Sequence, residues 1–204
     1  MSVPLRSLFL ALGAAVTAGC QGFAPPAEPT LQRLRPMPMA ARIPPRFELE
    51  IESPQLSGVF DAVFAVGAHG FALQLFPDIG GKVFDLAVGR DRVVADTPAG
   101  PYLAEAPLDA APPHLALVLA AVFAELLAPV DAARVRGERR SASGDSELLL
   151  APALGSGRVV ATLADDGTVA RYTIELGWLA VTLDATGRVQ ARGLDLHLRW
   201  RQDG

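Results

Sequence analysis

Residues 114–128 read HLALVLAAVFAELLA, and this segment decides which folds are open to the chain. Its Ala and Leu content, with Pro112-Pro113 before it and Pro129 after it, predicts an α-helix over residues 113–128. Only His114 and Glu125 are polar, so the helix needs to be buried on most of its sides. It is too short for a transmembrane span. One face of a flat sheet would cover one side of this helix, whereas a curled sheet would cover more of it.

Short strand patterns lie on both sides of this helix. About five precede it between residues 46 and 95, and about five follow it between residues 133 and 200. The clearest is 194–200, where three leucines and Trp200 alternate with polar residues, as in an antiparallel sheet with one buried face. Residues 96–111 are rich in Pro and Ala and are predicted to form a loop. A single antiparallel sheet of about ten strands tends to curl or close.

The interior of such a sheet has two interpretations. The helix either fills the interior as ordinary core, or it covers an apolar wall that holds an apolar ligand, and the sequence pattern does not choose between them. The candidate lining residues are large apolar side chains of the predicted strands and helix, which would look the same as core. They are Phe60, Phe64, Leu73, Leu75, Phe84, Leu119, Phe123 and Trp178.

The N-terminus carries a targeting signal. Arg6 precedes Leu8–Val16, an apolar run of nine residues that suits the core of a signal peptide. The following Val16-Thr17-Ala18-Gly19-Cys20 resembles a bacterial lipobox, which implies cleavage after Gly19 and acylation (palmitate and diacylglycerol) of Cys20. The alternative is an ordinary secretory signal with an incidental cysteine. The lipoprotein resemblance also implies a location, since Gln21 in place of Asp suggests the periplasmic face of the bacterial outer membrane.

Three segments are therefore predicted along the chain. Residues 1–19 are the lipoprotein signal peptide, and residues 20–45 are a lipidated tether, because seven prolines between residues 21 and 45 favour a semi-extended chain. Residues 46–204 are the folded domain.

Composition excludes several other functions. With 18 basic and 22 acidic residues the chain is unlike a nucleic-acid-binding protein, and its single cysteine leaves no disulfide within the chain and no cysteine-rich metal site. His69, His114 and His197 lack paired ligand spacing, so no metal is expected. Ser156 lacks the nucleophile motif of hydrolases, and no other set of titratable residues suggests catalysis. We predict a non-enzymatic protein without a cofactor, apart from the lipid on Cys20.

The order of elements resembles the lipoprotein-localisation (LolA/LolB-like) superfamily. The resemblance is carried by LQLF-Pro77-Asp78-Ile79-Gly80 with the strand KVFDLAV after it, by FAELLAPVDAARVRG at 123–137, by Gly177-Trp178, and by the last strand closing in Trp200. It covers residues 46–200. Three features depart from the pattern: an early-strand tryptophan is absent, the stretch between Trp178 and Leu194 is short, and Asp-Ile-Gly replaces Pro-Leu-Gly. The chain is thus identified as a divergent LolB-like member.

The resemblance implies a fold and a function. The fold is mainly β (α+β): a single strongly curved antiparallel sheet, or open β-barrel, of about 10–11 strands with a helix plugging its concave side. The function is to bind acyl chains of lipids or lipoproteins in that cavity and to help insert them into the outer membrane, with Ile79 as the loop residue that contacts lipid. The alternative for Ile79 is an anchor that folds back onto the domain.

The expected partners follow from this function. They are lipid or lipoprotein acyl chains, a periplasmic carrier protein, and the membrane through the lipid anchor, with the protein itself a monomer. The alternative function is that of a structural or assembly lipoprotein of the envelope, with a side-chain-filled barrel that binds another protein at a sheet edge.

Overall fold

A computed structural model of the protein describes residues 22–53, 56–89, 92–97, 100–106, 115–177 and 179–200. Within these ranges the chain forms two α-helices, a short 3₁₀ turn and thirteen β-strands. The helices are α1 (Glu28–Arg33) and α2 (Leu115–Leu127), and the 3₁₀ turn is Pro38–Ala40. The strands are β1 (Arg46–Glu52), β2 (Ser57–Gly67), β3 (Gly70–Phe76), β4 (Phe84–Val88), β5 (Val93–Thr97), β6 (Gly100–Ala106), β7 (Val135–Arg140), β8 (Ser146–Leu150), β9 (Arg158–Leu163), β10 (Val169–Leu176), β11 (Leu179–Asp184), β12 (Arg188–Ala191) and β13 (Leu194–Arg199).

All thirteen strands belong to one antiparallel sheet. Its order is β6-β5-β4-β3-β2-β1-β13-β12-β11-β10-β9-β8-β7, so the first and last strands pair in the middle. The two edges are β6 and β7, and the segment that contains α2 connects them. The predicted fold class is confirmed: the protein is mainly β, with one open antiparallel sheet and one buried helix.

The sheet is strongly curved because α2 contacts strands that are far apart in the sheet order. The helix packs against β5, against β11 and against the 3₁₀ turn. Seven strand spacings separate β5 from β11, which is roughly 33 Å in a flat sheet. A helix is only about 10–12 Å wide. The sheet therefore curls around α2, which lies on its concave side.

The structure contains more strands than the sequence predicts. Residues 96–111 were expected to form a loop, but Gly100–Ala106 pair with β5 as strand β6. Pro101 is compatible with this position because β6 is an edge strand, where a missing backbone donor costs little. The second additional strand, β12, is only four residues long and pairs with β11 and β13.

Strand alternation sorts apolar and charged side chains onto opposite faces of the sheet. In β1, Phe47, Leu49 and Ile51 point inward and are at most 1% exposed. Glu48 and Glu50 point outward, and both carboxylates bind the guanidinium of Arg199 on β13, at 3.1 and 2.6 Å. The concave face is consequently the apolar face, and the convex face carries the charge.

Residues 22–45, which the sequence predicts to be part of a semi-extended tether, pack along the sheet. Ala24 forms two backbone hydrogen bonds with Glu138 of β7, at 2.8 and 2.7 Å. Further along, Met37 is 0% exposed and joins the core, and the indole nitrogen of Trp200 donates to the carbonyl oxygen of Met39 at 3.1 Å. This segment packs because it carries apolar side chains among its prolines, and their surface is stabilised by burial against the domain. A polar spacer has no such surface.

The same segment also lies close against the β9–β10 turn. The backbone nitrogen of Arg35 donates to the carbonyl oxygen of Gly167 at 3.1 Å. Gly167 has φ +86°, and a Cβ there would lie 2.4 Å from the carbonyl oxygen of Arg33, so glycine is required both for the turn and for the close approach. The boundaries 1–19, 20–45 and 46–204 stay predictions.

The packing of this segment is tested by truncating Met37. We expect Met37→Ala to lower the free energy of unfolding by about 2–5 kcal/mol, because it removes a fully buried side chain. The matched control is Gln32→Ala on α1, where the exposed side chain is expected to contribute less than about 0.5 kcal/mol. Urea unfolding measures both. Equal, small effects would mean that the segment is a free tether in solution.

Candidate functional site

The predicted cavity residues that the structure describes lie together in the buried core of the domain. Seven of the eight are described, and each is at most 5% exposed, whereas Trp178 lies outside the described residues. The seven are Phe60, Phe64, Leu73, Leu75, Phe84, Leu119 and Phe123. They belong to one continuous hydrophobic core. The sequence did not decide whether the interior is a cavity or a packed core, and in the structure α2 occupies it. Acyl binding by these residues stays a prediction.

Phe123 of α2 is the centre of an aromatic cluster on the concave face. Its ring centroid lies 5.0 Å from that of Phe64, 5.6 Å from that of Phe47 and 6.1 Å from that of Phe71. Phe47 in turn packs edge-on against Trp200, with 4.7 Å between ring centroids. These rings join the N-terminal strands, the last strand and the helix, so they hold α2 in the interior through contacts that are entirely apolar.

An apolar mouth opens at the C-terminal end of α2. It has a volume of about 260 Å³ and is lined by Phe71 and Val88 on one side and by Ala124, Leu127 and Leu154 on the other. Leu127 is 36% exposed and forms part of the rim. Binding sites for small molecules usually occupy about 300–1,000 Å³. The apolar mouth alone is therefore too small for a long-chain lipid, and deeper binding requires α2 to shift.

A buried ion pair fastens the same end of α2. Glu125 is 2% exposed, and its Oε2 accepts a hydrogen bond from Nη2 of Arg134 at 2.6 Å. Its Oε1 accepts from the backbone nitrogen of Ala153 at 2.6 Å. Arg134 also donates through Nε and Nη2 to the carbonyl oxygen of Ala151, at 3.1 and 2.7 Å. A charge can be buried at this depth only when it is paired and hydrogen-bonded in this way.

Glu125 is a polar residue in an otherwise apolar helix, and the sequence does not predict which group pairs with it. A lone carboxylate in an apolar helix signals that a cation or backbone donor has to reach it. Arg134 follows nine residues later, beyond the end of the helix, and only the fold shows that it returns to Glu125. Tyr172 lies on β10, a strand that the sequence predicts, and belongs to the same buried core as α2. Burial, and to a smaller extent the Glu125 carboxylate, raise the pKa of its hydroxyl.

Ile79 lies on the loop between β3 and β4 and is 92% exposed. It does not fold back as an anchor, which was the alternative to a lipid-contacting role. Its exposure is compatible with insertion into a lipid surface. Contact with a membrane stays a prediction.

A separate, polar pocket lies on the convex face. It has a volume of about 320 Å³ and is lined mainly by charged residues, among them Glu50, Arg188, Asp195 and His197. These groups are engaged with one another: Arg188 lies 3.3 Å from Asp195, and Glu50 binds Arg199. Within the described ranges, no group of three or more His, Cys, Asp and Glu side chains is arranged to hold a metal ion.

Two sequence predictions concern the membrane. Cys20, the predicted site of lipid attachment, lies outside the described residues. Among the described residues, no helix combines the length and the hydropathy that crossing a bilayer requires.

Comparison with solved structures finds a structural similarity, whereas the sequence comparisons find no match. No family model matches the sequence, and no curated protein matches it. The chain is similar to the crystal structure of a LolA superfamily protein from Nitrosomonas europaea, with a TM-score of 0.41 and 12% sequence identity over 89% of this chain and 96% of that chain. Membership of the LolA/LolB-like superfamily, the LolB-like assignment and lipoprotein status all stay proposals.

Proposed function

We propose that this protein is a non-enzymatic envelope lipoprotein that binds acyl chains of lipids or lipoproteins on its concave face and helps insert them into the outer membrane. The observation that carries this proposal is α2 itself. Eleven of its thirteen residues are buried, on every side of the helix, and Glu125 is the one polar residue among them. A helix without a polar face can be replaced in its site by another apolar chain without loss of hydrogen bonds along most of its length.

The burial energy of α2 determines how such a replacement takes place. Seven large apolar side chains of the helix are buried, and each contributes about 1.5–3 kcal/mol relative to exposure to water. Moving the helix into water would therefore cost roughly 10–20 kcal/mol, as much as the whole stability of a typical domain. The helix leaves its site only if acyl chains take its place and its own apolar surface enters a lipid or a partner protein at the same time.

The two ends of α2 are held by different interactions, so in the proposed movement one end of the helix stays in place and the other leaves its site. The C-terminal end carries the buried Glu125–Arg134 ion pair and the hydrogen bond from Ala153. Residues Leu115–Phe123 have no polar side chain and are held by apolar contacts. The C-terminal end thus acts as a fixed point beside the apolar mouth, and the N-terminal half is the part that an acyl chain replaces.

Membrane attachment and lipid contact are assigned in this proposal to Cys20 and Ile79. Acylation of Cys20 would attach the protein to the periplasmic face of the outer membrane, since multiple acyl chains give firm anchoring. The exposed Ile79 would contact the lipid surface into which the bound chains are transferred. A periplasmic carrier protein is the expected donor of those chains, and the protein is expected to act as a monomer.

A second candidate is a structural or assembly lipoprotein that binds another envelope protein. The filled interior favours it, because the described cavity residues form one buried core with α2, in which Phe64 packs against Phe123 of the helix. In this case α2 is permanent core. The two functions differ in whether an apolar probe enters the domain.

Lipid binding is tested with the full chain carrying Cys20→Ala. We expect acyl lipids to be extracted from the purified protein and a fluorescent long-chain fatty acid to bind it. Leu127→Asp, at the rim of the apolar mouth, should weaken this binding about tenfold, since it replaces an apolar contact with a charge. Val59→Asp is the matched control, because Val59 is 47% exposed but does not line the mouth. Absence of both extracted lipid and probe binding would favour the structural candidate.

The role of the ion pair as a fixed point is tested by removing one partner. Arg134→Met leaves Glu125 buried without its cation and should lower the free energy of unfolding by about 3–5 kcal/mol. The double variant Glu125→Leu, Arg134→Met should recover most of this loss, because no unpaired charge is left behind. Arg136→Met, at an exposed position of β7, is the control. If urea unfolding gives Arg134→Met the same midpoint as the control, the pair does not hold the helix.

Membrane contact by Ile79 is tested by flotation of the Cys20→Ala protein with anionic phospholipid vesicles. Ile79→Asp should reduce the bound fraction about tenfold or more, since burial of an isoleucine side chain contributes about 1.5–3 kcal/mol. Val66→Asp is the control, because Val66 is 62% exposed but lies on β2, away from the β3–β4 loop. Equal losses in the two variants would show that the loop has no special role.

A further inference from the structure

Tyr172 is a polar residue buried in an apolar interior. Its side chain is 0% exposed, and within the described ranges its hydroxyl is the single buried side-chain polar atom that lacks a hydrogen-bond partner. A buried hydroxyl without a partner destabilises the folded state, so such groups are rare in native proteins. An acceptor that is not part of the described chain would explain why a tyrosine, and not a phenylalanine, occupies this position.

The sheet directs this hydroxyl toward the concave side. The register between β10 and β9 shifts between Val169 and Arg171, and after this irregularity Tyr172 faces inward with Val169. Its partners in the register are Ala161 on β9 and Leu183 on β11, which are both buried and apolar. The neighbouring strands therefore provide no side-chain acceptor.

The nearest charged groups are already engaged with each other. Both carboxylate oxygens of Glu125 accept hydrogen bonds, one from Arg134 and one from the backbone nitrogen of Ala153. Arg134 donates to Glu125 and to the carbonyl oxygens of Ala151 and Pro129. Tyr172 belongs to the same buried core as α2, and its register partner Leu183 lies on β11, which packs against the helix. The Glu125 carboxylate also raises the pKa of the Tyr172 hydroxyl. Tyr172 thus faces the space that a ligand chain would occupy in place of part of α2.

We infer that the Tyr172 hydroxyl donates a hydrogen bond to the neutral carbonyl oxygen of an ester- or amide-linked acyl chain that replaces the N-terminal half of α2. This inference rests on the proposed function and specifies its ligand. Burial and the Glu125 carboxylate raise the pKa of Tyr172, so the hydroxyl stays protonated and available as a donor. A free fatty-acid carboxylate would bring a second negative charge near Glu125, whose cation is already engaged. An ester or amide carbonyl accepts the hydrogen bond without adding charge.

The experiment compares three ligands of matched chain length on the full chain carrying Cys20→Ala. Methyl palmitate has a neutral carbonyl, palmitate has a carboxylate, and hexadecane has no acceptor, and each competes with a neutral fluorescent alkyl probe. We expect the protein to bind the ester more tightly than palmitate. Tyr172→Phe should lower the affinity for the ester about three- to tenfold, the usual contribution of one hydrogen bond, and leave the affinity for hexadecane unchanged.

Two further measurements separate ligand recognition from a structural effect. Thr173→Val removes a hydroxyl from the opposite face of the same strand and should change none of the three affinities. Tyr172→Phe without ligand should unfold at the same or a higher urea concentration, because it removes an unpaired buried group. If the ester and hexadecane lose affinity equally, or if palmitate binds as tightly as the ester, the assignment of Tyr172 is wrong while acyl binding stands. If no ligand displaces the probe and the probe itself does not bind, both proposals are wrong.

Discussion

The structure depends on the burial of α2 against the concave face of the sheet. The helix has apolar side chains on all sides, and a single flat sheet would leave one of those sides in water. The sheet removes this exposure by curling until β5 and β11, seven strand positions apart, both contact the same helix. The pairing of β1 with β13 and the aromatic cluster around Phe123 follow from this requirement, because they bring the two halves of the chain to the same surface.

The same physical property makes this interior stable and underlies the proposed exchange of α2 for an acyl chain. Apolar contacts are strong in sum but have little directional preference, so under the proposed function an acyl chain would pack against the concave face as the leucine-rich helix does. The polar groups are few and lie together at one end of α2. Glu125 and Arg134 satisfy each other there, and the Tyr172 hydroxyl nearby is left with an unused donor. The helix therefore has a polar, ion-paired end and an apolar part, and the proposed function assigns the exchange with acyl chains to the apolar part.

Sequence patterns predicted the fold more completely than the site. Alternation of apolar and charged residues in β1 and β13, and the apolar segment between prolines, sufficed for the fold class and for the helix. The two additional strands were not predicted, because β6 contains Pro101 and β12 is very short, and backbone pairing with neighbours stabilises both. The packing of residues 22–45 was not predicted either, because a proline-rich composition predicts local stiffness but does not predict the core against which Met37 packs.

The local order of residues by itself determined the period of the strands and the apolar character of α2, and it predicted the glycine-flanked loop with Ile79 and the lipobox around Cys20. Each of these depends on neighbours a few positions away. Only the tertiary structure decided that α2 fills the concave face, that Arg134 reaches Glu125, and that Tyr172 lacks a partner. These facts depend on the curvature of the whole sheet and on where distant strands meet, which no local pattern encodes.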